Sequence, residues 1–129
     1  MNNALDPAVR GELLAAATTL AENLAHSLPL VTYQRAEAAL NAHRDASGLL
    51  QRYSQAAGAW RARQARGDIA PAEAEQLRAL QQAVRSNPVI GEYAQAQQAA
   101  FVYLRQINGE ISQLLGIDFA AMSRSSGCC

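Results

Sequence analysis

The residues with most chemical potential are the last two of the 129-residue chain, Cys128 and Cys129, which are also its only thiols. Thiolates are the usual ligands of iron–sulfur clusters, and most clusters need four of them. One chain supplies two, so a cluster at Cys128 and Cys129 requires a second chain whose tail meets the first. Adjacent cysteines chelate a single iron poorly, because neighbouring side chains diverge; they would bridge different irons or different metals. Two other fates stay open for the pair. They can be solvated thiols that oxidise reversibly, or the acceptors of a lipid anchor.

Elsewhere the chemistry is thinner. Glu22 and His26 are four residues apart, so on a helix they share a face that could hold a metal. A histidine at a helix end also serves the helix dipole, which makes His26 a capping residue on the simpler reading. His43 falls in the polar break Asn41-Ala42-His43-Arg44-Asp45 and reads as solvated. Arg52, Arg61, Arg63 and Arg66 make one stretch basic, and Glu73, Glu75 and Glu92 can offset them across a hairpin. That pattern reads as a salt-bridged surface before it reads as a contact for RNA or an acidic partner. Tyr53 and Trp60 share a helix with these arginines and suit a core or a dimer seam better than base stacking. No serine–histidine–acid set and no pair of carboxylates stands in a spacing that suggests catalysis, so the chain is expected not to be an enzyme.

The elements that carry these residues are helices. Half of the residues are hydrophobic but only 5% are aromatic, and alanine supplies much of the rest. Such a composition suits close-packed helices with a thin core. No stretch alternates over the length of a strand. The 11 basic residues, all arginine, cancel 11 acidic ones, which argues against a general polyanion binder, and no direct nucleic-acid contact is expected. No apolar run reaches the roughly 20 residues of a membrane span. The N-terminus Met1-Asn2-Asn3-Ala4 has neither a charged leader nor an apolar stretch. The expected location is the cytoplasm, with no membrane partner.

Taken in order, Asp6-Pro7 opens a first helix with Val9, Leu13, Ala16, Ala17, Leu20 and Leu24 on one face, ending at Ser27-Leu28-Pro29. Thr32 is positioned to cap a second helix bearing Tyr33, Ala36, Ala39 and Leu40. Asp45 reads as the N-cap of a third, although nothing at 41–45 forbids one kinked helix. The third carries Leu49, Leu50, Tyr53, Ala56, Ala57 and Trp60 and ends at Gly67. Ile69 and Pro71 open a fourth, with Leu77, Leu80 and Val84 inward. Asn87-Pro88 then starts a helix to Leu115, roughly 40 Å long. On it Tyr93, Ala96, Ala100, Leu104, Ile107, Ile111 and Leu114 recur at steps of three and four, close to a coiled-coil seam. So long a helix cannot bury its stripe within so short a chain. The predicted dimer interface is therefore Tyr93, Ala100, Leu104, Ile107, Ile111 and Leu114. Ile117 to Met122 can add a further turn.

The expected architecture is all-α: about five helices in a helical hairpin or bundle with a long C-terminal helix, as an intertwined dimer. One domain spans 1–122, and 123–129 is a flexible tail with the two cysteines. The tails meet only if the paired long helices run parallel.

Several residues together resemble the YlbF/YmcA family of small helical bacterial proteins. They are Leu20-Ala21-Glu22 with Ser27, Tyr33 leading into Ala36-Glu37-Ala38-Ala39-Leu40, and Asp45-Ala46 with Leu49-Leu50. Gln64 and Gly67 follow at a hairpin, then Asn87-Pro88-Val89 with Tyr93, and Leu104 to Ile111. The similarity runs from about Leu13 to Leu115, and Asn87-Pro88 followed by Tyr93 is its most specific part. The resemblance implies a non-catalytic helical protomer that pairs with a copy of itself or a sister protein. Family members from Bacillus-like bacteria support competence, sporulation and biofilm formation, and act with the endoribonuclease RNase Y in processing messenger RNA. Some hold iron–sulfur clusters through cysteines as part of a multi-protein complex. The resemblance thus implies a regulatory adaptor; a cluster shared between chains through Cys128 and Cys129, as a redox sensor, is the alternative. The alanine- and arginine-rich composition departs from those members, so the fold carries over better than the pathway.

Overall fold

The computed structural model describes residues 6–118 and 121, and Cys128 and Cys129 lie outside that range. Its elements are five helices: α1 Pro7–Ala25, α2 Leu28–Ala42, α3 Arg44–Arg66, α4 Pro71–Ser86 and α5 Pro88–Leu115. Among the described residues there is no strand, and no helix is long and apolar enough to cross a membrane. The turn expected at 117–122 falls largely outside the described residues, though the Ala121 amide donates to Asp118 Oδ1 at 3.1 Å.

Local chemistry sets the helix boundaries. Asp6 Oδ1 accepts the Ala8 amide at 3.0 Å and Pro7 fills the first helical position, where its missing N–H is no loss. The second helix starts earlier than Thr32. Ser27 is its N-cap and Pro29 lies in its first turn, so the proline that ends α1 also opens α2. The third is capped by His43 rather than Asp45: His43 Nδ1 accepts the Ala46 amide at 3.2 Å. Asp45 sits in the first turn, where its charge favours the positive end of the helix. His43 is therefore a structural group and also the break that separates α2 from α3. At the other end of α3, Gly67 adopts φ 73°, and the Asp68 and Gly67 amides donate to Arg63 O and Gln64 O. This closes a Schellman turn, for which glycine supplies the left-handed backbone.

The fifth helix matches its sequence signature closely. Asn87 Oδ1 accepts the amides of Val89 at 3.0 Å and Ile90 at 3.2 Å, and Pro88 follows. With 28 residues the helix is about 42 Å long.

Packing is concentrated in two pairs, α2 with α5 and α3 with α4. The pairs join at a small core of Leu40, Ala46, Leu49 and Ile90, with Leu50, Leu80, Val84, Val89 and Tyr93 around it. These residues come from α2, α3, α4 and α5, so one cluster ties four helices. By contrast α1 has neither a buried residue nor a place in this cluster.

The joint fixes what substitutions should do. Ile90→Ala truncates the buried α5 side chain of the cluster and should cost about 2–4 kcal/mol, whereas Asn87→Ala loses only a cap, at about 1 kcal/mol. Urea midpoints of the two variants, compared with the parent, check both the size and the order.

Candidate protein-docking surface

The apolar stripe of α5 divides into two parts. Its N-terminal part is used within the chain. Ala96 and Ala100 are buried, and Tyr93 packs against Tyr33 of α2 with ring centroids 5.7 Å apart and planes tilted by 37°. The Tyr33 and Tyr93 hydroxyls lie 3.4 Å apart, a long hydrogen bond that accompanies the ring contact. Of the predicted interface residues, Tyr93 and Ala100 thus already face α2. Beyond Ala100 the cover thins. Leu104 is 41% and Leu114 86% exposed, with Ile107 and Ile111 half-buried. Phe101, Val102 and Leu115 add to the same uncovered length of helix.

The first helix is uncovered as well. Val9, Leu13, Leu14 and Leu20 are all exposed, Leu13 and Leu14 at 58% and 60%. Adjacent leucines point to different sides of a helix, so α1 is apolar on more than one face, the pattern of a helix buried from several directions. Its exposure follows from its position: it precedes the joint and has no residue in it. Sequence periodicity found the α5 stripe but took α1 for an ordinary one-faced helix. The Leu13-Leu14 pair was the signal available.

On the other pair of helices, α3 and α4 enclose an open groove of about 610 Å³. Ala56, Ala59, Ala79 and Ala83 line its walls, with Trp60 and Arg52 on the α3 side. Near the hairpin end, Arg63 pairs with Glu73 at 2.6 Å across the two helices. Glu75 pairs instead with Arg78 of its own helix at 3.2 Å. Arg52, Arg61 and Arg66 make no ion pair among the described residues. Trp60 is half-buried in the groove and Tyr53 half-buried on α3. The groove was not foreseen; its signal is alanine recurring at helical spacing on both sides of Gly67.

The remaining candidates are accounted for by local structure. His26 is the C-terminal cap of α1, and its Nδ1 lies 2.7 Å from the backbone oxygen of Glu22, not from the Glu22 carboxylate. Among the described residues no three His, Cys, Asp or Glu side chains gather as a metal site. The cluster ligands expected at Cys128 and Cys129 fall outside the described residues.

The described residues thus form an all-α protomer with a thin joint, an exposed apolar α1 and an exposed apolar second half of α5. The family described as control of competence regulator ComK, YlbF/YmcA, matches residues 13–115, and the chain belongs to that family. The structure is similar to that of Bacillus subtilis RicA, solved in complex with RicF, with a TM-score of 0.71 at 17% sequence identity, covering 81% of this chain and 94% of RicA. No curated protein matches the chain.

The tyrosine pair has a titration signature. The hydrogen bond with Tyr93, then burial, then the charge of Glu37 push the Tyr33 hydroxyl up from 10.0 to about 12. Below pH 10 both the folded and unfolded chains keep this proton. Above it the unfolded chain releases the proton first, so the Tyr33 contribution to stability is lost as pH rises through about 12. Replacing Tyr93 by Phe should bring the Tyr33 midpoint down towards 10, which an ultraviolet titration of the two proteins measures. An unchanged midpoint would mean that the Tyr93 hydroxyl is not the cause.

Proposed function

We propose that this protein is a non-catalytic regulatory adaptor that pairs, through the exposed lengths of α5 and α1, with a second copy or a sister member of its family. The observation that carries this reading is the apolar surface from Phe101 to Leu115 together with that of α1. Isolated exposed leucines are ordinary on a monomer, but a contiguous apolar length of helix marks an association site. The similar protein RicA was solved bound to RicF, which supports a family member as the mate. A regulatory family description supports binding over catalysis. In the finer form of the reading, the assembly tunes the endoribonuclease RNase Y.

The pairing stripe is then Leu104, Ile107, Ile111 and Leu114, extended by Phe101 and Leu115. Tyr93 and Ala100 hold α5 against α2 and act on the pairing only through that support. A cluster held by Cys128 and Cys129 would be added to this assembly, since those thiols are the chain's only ones.

A charge placed in an apolar interface costs roughly 2–5 kcal/mol when it has no partner, enough to dissociate a micromolar pair at working concentration. Leu104→Asp with Ile107→Asp should therefore shift the sedimentation mass from a multiple of 13.8 kDa to 13.8 kDa, with the helical circular dichroism of the joint retained. Ile69→Asp, on the exposed loop before α4, serves as the control and should leave the assembly intact. An assembly that survives the double substitution refutes this surface. For the finer reading, RNase Y should co-purify with the tagged protein from its native host, and its repeated absence under mild crosslinking would remove the nuclease.

A further inference from the structure

The exposed helices explain how the protein pairs, but they leave the α3–α4 groove without a role. The hairpin that holds it is charged. The segment Arg44–Ser86 holds seven of the eleven arginines against four acids, Asp45, Asp68, Glu73 and Glu75. The hairpin therefore carries a net charge of +3, and the rest of this neutral chain carries −3. Most of that excess lies on α3, where Arg44, Arg52, Arg61, Arg63 and Arg66 stand against Asp45 alone. Only Arg63 of these has an ion-pair partner among the described residues.

The floor of the groove is of another kind. Alanines at 56 and 59 face alanines at 79 and 83, and Leu49, Leu80 and Trp60 supply larger apolar surface. Small side chains on both walls let a third helix approach closely, as ridges enter grooves in helix packing. Arg52 stands on the rim with its guanidinium unpaired. Glu73 also lines the groove, but Arg63 neutralises it, which leaves Arg52 as the unpaired charge there. A polyanion such as RNA fits this less well than a helix, because Arg52 is the one cation of a mostly apolar lining.

We propose that the α3–α4 groove is a docking site for an amphipathic helix of a protein partner, with a small-residue apolar face set between acidic residues. The site deepens the adaptor reading and rests on it: pairing uses α1 and α5, and the groove receives the client. Apolar contact with the alanine floor supplies affinity, and Arg52, backed by the net positive charge of the hairpin, selects sign and steers approach.

A display library of 18-residue helices tests this, with a fixed Ala/Leu face and flanks drawn equally from Glu, Lys and Gln. Selection on the full-length protein should enrich glutamate flanks over lysine. The winning peptide, fluorescently labelled, should bind saturably by anisotropy. Arg52→Glu should weaken it roughly tenfold, as for a rim charge reversed at an interface. Ala79→Trp, which fills the groove from an exposed position, should abolish binding. Both variants should keep the parent's sedimentation mass, so that loss of docking is separable from loss of pairing. Conversely, Leu104→Asp with Ile107→Asp should dissociate the pair and leave peptide affinity unchanged. Enrichment of lysine flanks, binding indifferent to both groove variants, or displacement of the peptide by a 20-nucleotide single-stranded RNA would each overturn the proposal.

Discussion

Four helices of this protein meet where Leu80 and Val84 of α4 pack against Leu40, Ala46, Leu49 and Ile90, and almost everything else about the molecule follows from how little that meeting place contains. Two of the seven buried core residues, Ala96 and Ala100, lie further along α5, and a third, Ala57, lies along α3. Four of the seven are alanines. Alanine permits close helix approach but contributes little apolar area, so each helix gains modestly from its neighbour. A chain with this composition cannot wrap all its helices around one centre. It forms one joint and lets the helices run out from it in pairs.

That constraint gives the two pairs separate work. The α2–α5 pair is fastened by Tyr33 against Tyr93 and then releases the rest of α5 into solvent, beside an α1 that the joint does not hold. The α3–α4 pair is held at its root by Leu49 and Leu80 and near Gly67 by the Arg63–Glu73 bridge, and it carries the surplus positive charge. On the proposed reading the pairing surface and the groove lie on different helix pairs, so filling one would not compete with filling the other.

How much of this was legible in the sequence depended on whether the deciding interaction was local. Asn87-Pro88 and Gly67 were readable because caps and left-handed turns are settled within four or five residues of chain. Asp45 was misjudged against His43 for a related reason: both side chains can accept an amide hydrogen, and only the backbone angle at the break decides between them. Thr32 failed similarly, since Pro29 can end one helix or begin another, and here it does the second. Non-local facts were mostly out of reach. Periodicity found the stripe on α5, but it could not show that α2 takes Tyr93, Ala96 and Ala100 and leaves Leu104 onward. The groove was equally hidden, because it exists only once α3 and α4 lie side by side.

The bridge between Arg63 and Glu73 has one more consequence. The two walls of the groove are held by forces of different kinds at their two ends: apolar packing around Leu49 and Leu80 at the root, and a half-exposed ion pair towards Gly67. Dissolved salt acts on these oppositely, screening the ion pair while excluded salts such as sulfate strengthen apolar contact. The root and the mouth of the hairpin thus respond separately to the ionic medium, the mouth weakening in salt where the root does not.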